Sequence, residues 1–209
     1  IEKKEKIESI TINSILAKLE INYIDWFKTD TQGTDLRIFL NISSYIRDKI
    51  LLAEFEPGIL DAYIGEDKLY KVMEYFNNKD FWCDECNIHG MCRIREDFIN
   101  EMNFIERKFH YLFQKPCAFW AEISYMNNMT MNIFDERDFF LACIFALLKK
   151  QYGFCIEICN SGFAKFANPL FEEIKRFTIS QMKINGYLSL FRKIFSISYK
   201  KIIKSLKYE

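Results

Sequence analysis

Up to about residue 134, apolar positions fall into short continuous or alternating runs. Beyond it they take helical spacing. Ile15, Leu16 and Leu19 predict a short helix within Thr11–Leu19, capped by Asn13 or Ser14. Tyr23-Ile24-Asp25-Trp26-Phe27 predicts a strand, followed by a polar turn over Lys28–Gly33 and a helix bearing Leu36, Phe39 and Leu40. Ile50-Leu51-Leu52-Ala53 is apolar without interruption, the mark of a strand buried on both faces as in a parallel sheet. Leu69, Val72, Met73 and Phe76 recur at the spacing of one helix face. Strand, polar turn and helix, twice over, is the order of a βαβ sheet, whose ligands sit outside the carboxyl ends of its strands.

From Asp80 the pattern changes. Phe81–Ile88 and Met91–Ile94 predict strands about a turn at His89-Gly90, a loop or helix covers Phe98–Phe113, and Ala118–Tyr125 predicts a further strand. After Asn132 the spacing is helical, with breaks expected near Gly153, Gly162, Pro169 and Gly186. The expected architecture is an α/β domain over residues 1–134 and a helical extension over 135–209.

Composition sharpens this in three ways. Half of the 209 residues are apolar and 17% are aromatic, which supplies a packed core and argues against disorder. Basic and acidic residues number 29 each, so no global basic surface marks a nucleic-acid partner. The balance is uneven: residues 1–134 carry a net −6 and residues 135–209 a net +6. The longest apolar run, Phe139–Leu148, is half of the roughly 20 residues a spanning helix needs, so a buried helix is expected. Seven cysteines, an odd number with no signal peptide before them, fit free thiols in a reducing, cytoplasmic compartment.

The stretch Ile24-Asp25-Trp26-Phe27-Lys28-Thr29-Asp30-Thr31-Gln32-Gly33-Thr34-Asp35 resembles the central motif of the FkbM family of S-adenosylmethionine-dependent methyltransferases. That motif is a hydrophobic strand, then Lys, an apolar residue, Asp, any residue, Glu or Gln, Gly, any residue and Glu. Thr11–Leu16 is similar to the short segment before it, Ile50–Glu54 to the next strand, and Tyr63–Phe81 to the helix and strand after that. The resemblance spans about residues 9–95 and extends more weakly to about 130. It implies a partial Rossmann-like methyltransferase sheet with helices on its faces. The glycine-rich turn and acidic strand end that hold S-adenosylmethionine in such folds have no counterpart here, so the chain is expected to correspond to the carboxy-terminal half of the enzyme. The implied reaction methylates a hydroxyl, on a sugar or glycan by family habit.

On this resemblance Lys28, Asp30 and Gln32 stand at the rim of the methyl-transfer pocket, with Asp30 and Lys28 as catalytic candidates. Methyl transfer to oxygen needs an acceptor for the hydroxyl proton, and an Asp ending a buried strand suits that task. Gln32 and Gly33 are expected to line the substrate site, Gly33 by allowing close backbone approach. Glu54 and Glu56 flank Phe55, and in an extended strand would share one face and complete the substrate side.

Two features point elsewhere. Cys83, Cys86, His89 and Cys92 form C-x2-C-x2-H-x2-C, a donor set zinc accepts, although a regular strand would place Cys83 and Cys86 on opposite faces. Cys143, Cys155 and Cys159 fall in apolar helical surroundings and are expected in the core. In Tyr187–Tyr208, Leu188, Phe191, Phe195, Tyr199, Ile202 and Leu206 form an apolar stripe beside a basic face. Such a helix suits either packing on the domain or peripheral contact with an anionic membrane. The rival readings are therefore a metal-binding module and a partner- or membrane-binding module, neither of them catalytic.

Overall fold

The computed structural model describes residues 9–206 and divides after Ile133 into two compact units. The first is an α/β unit built on a four-stranded mixed sheet; the second is helical.

In the first unit α1 (Ile12–Lys18) starts from Thr11, whose side chain accepts the Ser14 N–H at 3.2 Å. The cap therefore lies earlier than Asn13 or Ser14, and Leu16 alone among the predicted apolar positions is buried, while Ile15 and Leu19 are exposed. β1 (Trp26–Lys28) leads through α2 (Asp35–Asn41) and α3 (Ser44–Arg47) to β2 (Leu52–Phe55), which lies parallel to β1 with Phe27 opposite Ala53. After α4 (Leu69–Phe76) come two long strands, β3 (Phe81–Met91) and β4 (Cys117–Asn127), separated by α5 (Glu96–Glu101) and α6 (Phe104–Phe113). Strand order is β1-β2-β4-β3, and β4 runs antiparallel to both neighbours, so the sheet is mixed rather than wholly parallel. Neither α5 nor α6 buries a residue.

Side-chain alternation decides what each face of the sheet holds. Phe27, Ala53, Phe55, Ile123 and Tyr125 point to one face and join Leu16, Phe39, Ile46, Val72 and Phe76 from the first four helices in a single core. Phe39, fully buried, is its centre: the rings of Phe27, Phe55, Tyr75 and Phe76 lie 5.1–5.8 Å from it. Full burial of one such side chain contributes roughly 1.5–3 kcal/mol. On α4 the stripe is narrower than predicted, since Val72 and Phe76 are buried and Met73 is exposed.

The expected hairpin at His89-Gly90 is absent. Both residues lie within β3, opposite Trp120 and Ala118. Gly90 serves close approach rather than turning, because a Cβ there would stand 2.5 Å from the Cys117 carbonyl oxygen. Two register shifts bend this ladder. One, between Cys83 and Glu85, makes Asp84 the extra residue on β3; the other leaves Phe119 extra on β4.

The second unit comprises α7 (Glu136–Leu148), α8 (Tyr152–Phe166) and α9 (Leu170–Leu206), each packed on the other two. Asp135 and Asp138 close a reciprocal capping box at the start of α7. α7 is less enclosed than its apolar run predicts: Phe139, Ala142, Cys143, Phe145 and Ala146 are buried, but Ile144 and Leu148 are exposed. Among the described residues no helix is long and apolar enough to cross a membrane. In the amphipathic stretch, Tyr187, Leu188 and Leu190 are exposed; Lys207 and Tyr208, and the side chains of Phe191, Phe195, Tyr199, Ile202 and Leu206, lie outside the described residues.

Two of the four expected helix breaks are present, just before Gly153 and at Pro169, and none interrupts α8 at Gly162 or α9 at Gly186. Lys150 (φ 59°) and Ala167 (φ 53°) take left-handed dihedrals at the ends of α7 and α8, while Gly153, Gly162 and Gly186 lie inside helices. Gly162 is needed for space. A Cβ there would come within 2.5 Å of the Phe171 ring, which is fully buried and stacked on Phe140 at 4.3 Å.

Two substitutions test this packing in opposite directions. Ala167→Gly removes the left-handed penalty and should stabilise the unit by about 0.5–1 kcal/mol. Gly162→Ala gains up to about 1 kcal/mol of helix propensity but overpacks a ring that cannot retreat, at about 1–3 kcal/mol. A net loss is expected, read as a lowered thermal midpoint. An unchanged or raised midpoint would mean the Phe171 contact is loose.

Candidate functional site

Parallel pairing of β1 with β2 sets two loops side by side at the carboxyl ends of the strands: Thr29–Thr34 after β1 and Glu56–Lys68 after β2. Between them, and against the far end of the β3–β4 ladder, lies a cleft of about 430 Å³. Asp30, Gln32 and Gly33 line it from the first loop, Glu56, Tyr63 and Glu66 from the second, and Met91, Phe119 and Trp120 from the ladder.

Asp35 joins the two loops. Its buried carboxylate accepts the Thr31 N–H at 2.9 Å and the Thr31 hydroxyl through Oδ1, and the Glu56 N–H at 3.1 Å through Oδ2. A second tie runs from Arg37, which donates to the carbonyls of Gly33 (2.7 Å) and Gly65 (2.9 Å) and pairs with the buried Asp67 at 3.1 Å. The side chains then connect across the cleft: Tyr63 donates its hydroxyl to Gln32 Oε1, and Gln32 Nε2 donates to Asp30 Oδ1 at 3.0 Å.

Gly33 has two reasons to be glycine. Its φ of +108° suits no ordinary side chain, and a Cβ there would lie 2.5 Å from that of Glu66. Glu66 is the buried keystone of the second loop. It accepts the backbone N–H groups of Ala62 (3.1 Å) and Tyr63 (3.3 Å) and the Lys68 ammonium (2.6 Å). Burial alone would push its carboxyl up, but Lys68 and the two N–H groups outweigh it, and the net shift is downward.

Glu56 behaves oppositely. Burial raises its pKa, the nearby charges of Asp30 and Glu122 add to that, and Lys28 offsets only part. Glu56 is thus a better proton acceptor, once ionised, than an ordinary glutamate, and the Asp30 charge is one reason.

The other predicted residues divide. Lys28 and Glu54 do not line the cleft; they meet on the sheet surface, Nζ to Oε2 at 3.9 Å, where Glu54 also accepts the Trp26 indole N–H at 3.1 Å. Glu54 lies within β2 and Glu56 one residue past its end; only Glu56 lines the cleft, so the two do not jointly complete its substrate side as expected. Tyr63, Glu66, Phe119 and Trp120 were missed because they come from a turn and from a bulge 50–60 residues further on. Gly58 and Gly65 around Glu66 were the available signal.

The Cys/His motif of the first unit does not converge. The Asp84 bulge brings Cys83 opposite Tyr125 and Cys86 opposite Ile123, so both lie on the core face, contrary to the regular-strand expectation. His89, opposite Trp120, lies on the other face, stacked on that ring at 5.1 Å and 3.3 Å from Glu122. Burial, with Cys86 and Asp84 adding to it, also pushes the Cys83 thiol up. Among the described residues the group of three metal-capable side chains that does converge is Cys143, Cys155 and Cys159.

Removing the keystone should be costly. Glu66→Ala leaves two N–H groups without their acceptor and removes one of the two carboxylates on Lys68, Asp61 remaining at 2.7 Å, an expected loss of about 2 kcal/mol. The sign with pH follows from a lowered folded pKa: Glu66 contributes fully above its unfolded value, about 4.3, and the contribution is lost as pH falls through the folded value. Urea titrations of both proteins between about pH 3 and 7 should show their difference shrinking on acidification. A difference independent of pH would remove the charge from this role.

No family model, curated protein or solved structure matches the chain, so its functional reading rests on the geometry and chemistry of the cleft.

Proposed function

We propose that the cleft is the acceptor side of an S-adenosylmethionine-dependent methyltransferase of FkbM type, acting on a hydroxyl of a sugar or glycan. One observation carries the reading. The motif residues Asp30, Gln32 and Gly33 share a single cleft with Glu56, at the carboxyl ends of two adjacent parallel strands. Its lining suits a polyol: carboxylate and amide groups to hold hydroxyls, and the rings of Tyr63, Phe119 and Trp120 to cover C–H faces.

S-adenosylmethionine supplies an electrophilic methyl group when bound. Among the described residues no glycine-rich turn follows a strand, so none is assigned to hold it, and the roles below concern the acceptor alone. The acceptor hydroxyl must lose its proton as its oxygen gains the methyl group. Glu56 takes that proton, its basicity raised by burial and by Asp30. Gln32, fixed between Tyr63 and Asp30, orients the acceptor. Lys28, outside the lining, acts on Glu56 through its charge rather than by contact.

The pair is tested in the intact natural protein by labelled methyl transfer to mono- and oligosaccharides. Glu56→Gln should lower turnover about 10²–10⁴-fold and Asp30→Asn should lower it less, both with thermal stability nearly unchanged. The wild-type acid limb of kcat/KM should lie above the ordinary carboxylate range, since the base must be ionised. Asp30→Asn, by removing a neighbouring negative charge, should move that limb to lower pH. Full turnover in both variants would overturn the assignment.

A second expectation concerns the 209-residue chain by itself. Calorimetry with S-adenosylmethionine should show binding weaker than micromolar. Micromolar binding would mean that these residues also hold the cofactor.

A further inference from the structure

Three of the seven cysteines lie in the helical unit, and all three are buried. Cys143 comes from α7; Cys155 and Cys159 sit one turn apart on α8. Their sulfur atoms lie within 4.8 Å of one another, and Cys143 Sγ is 3.6 Å from Cys159 Sγ. On the third helix, Thr178 Oγ1 is 3.3 Å from Cys155 Sγ. A core cysteine behaves as a small hydrophobe, and apolar packing does not ask where its sulfur points. Here three sulfurs from two helices point at one another.

We propose that Cys143, Cys155 and Cys159 form a trigonal thiolate site for a single Cu(I) ion. Three sulfurs bound at about 2.3 Å to one ion stand about 4 Å apart. The Cys143–Cys159 separation of 3.6 Å is close to that value and no pair exceeds 4.8 Å, so closure needs only small side-chain shifts.

The donor set selects the ion. Sulfur ligands favour soft ions: Cu(I), zinc or an iron–sulfur cluster. A structural zinc takes four ligands, and clusters take four cysteines. Here the nearest further donor is the Thr178 hydroxyl, already donating to the Ile174 carbonyl at 2.8 Å. Three sulfurs in a site closed to solvent satisfy Cu(I) and leave zinc one ligand short.

Binding needs no redox step. Each thiol that ligates as thiolate releases its proton to solvent; the ion enters and stays as Cu(I), so no electron moves. A cleft of about 310 Å³ on the same unit is lined by Ile144 and Phe177, the chain neighbours of Cys143 and Thr178, together with Leu147, Tyr152 and Gln181. The site is independent of the α/β cleft and of its proposed chemistry.

The test uses the full chain with Cys83, Cys86, Cys92 and Cys117 changed to Ser, so that sheet thiols do not compete. Cu(I) is offered anaerobically from its bathocuproine disulfonate complex with ascorbate. One equivalent should transfer to the protein, and X-ray absorption should show three sulfurs at about 2.3 Å. Cys155→Ser in that background should weaken binding at least about 100-fold, with helical circular dichroism unchanged. If that variant unfolds, the absorption spectrum of the folded parent decides alone. No transfer, a two-sulfur spectrum, full binding by folded Cys155→Ser, or a Cys143–Cys159 disulfide in anaerobically purified protein would each overturn the proposal. So would Zn²⁺ that Cu(I) cannot displace.

Discussion

The buried carboxylate of Asp35 is the fixed point of the α/β unit. It stands at the first turn of α2, where the helix dipole favours a negative charge, and it takes donors from the loops after both parallel strands. Backbone N–H groups, a hydroxyl and a helix terminus satisfy it without a cation of its own. A neutral residue here would leave the Thr31 and Glu56 N–H groups without an acceptor and free the loops to separate. The same charge that fixes Glu56 by its backbone also helps to raise the pKa of its side chain. Architecture and electrostatics at the cleft are therefore coupled through one residue.

That coupling explains why the cleft's carboxylates differ. Glu66 has a cation and two N–H donors, so its charge is spent on structure. Glu56 is partly desolvated and has the like charges of Asp30, Glu122 and Asp35 near it, with the pull of Lys28 offsetting only part, so its charge stays costly. Costly charges are the ones with free energy to release on taking up a proton.

Much of this was legible in the chain. The continuous apolar run at Ile50–Ala53 correctly marked a strand parallel to its predecessor, because burial on both faces forbids polar alternation. The motif after β1 marked one wall of the cleft, because turn residues and glycine at strand ends constrain the backbone locally. What escaped was non-local or cancelled a local rule. Phe119 and Trp120 reach the cleft through a bulge that depends on β4 meeting β3. The reversal of β4 leaves no periodic trace, since a strand's pattern reads the same in either direction. Helix ends at Lys150 and Ala167 carry no glycine, while Gly162 sits mid-helix for the sake of a ring on another helix.

The cysteines show the same limit most sharply. Spacing drew attention to Cys83, Cys86, His89 and Cys92, where ten residues hold four donors; yet an extended strand sends neighbours to opposite faces, and the bulge that reunites two cysteines leaves His89 behind. The group that converges has eleven residues between Cys143 and Cys155, a separation that means nothing in a linear reading. It acquires meaning only when α7 and α8 turn back on each other, with Cys155 and Cys159 already on one face by helical periodicity. Donor density along a chain measures how cheaply a loop can wrap an ion. In a helical bundle the scaffold meets that cost beforehand, so a site needs only residues of the right type at positions where helices cross.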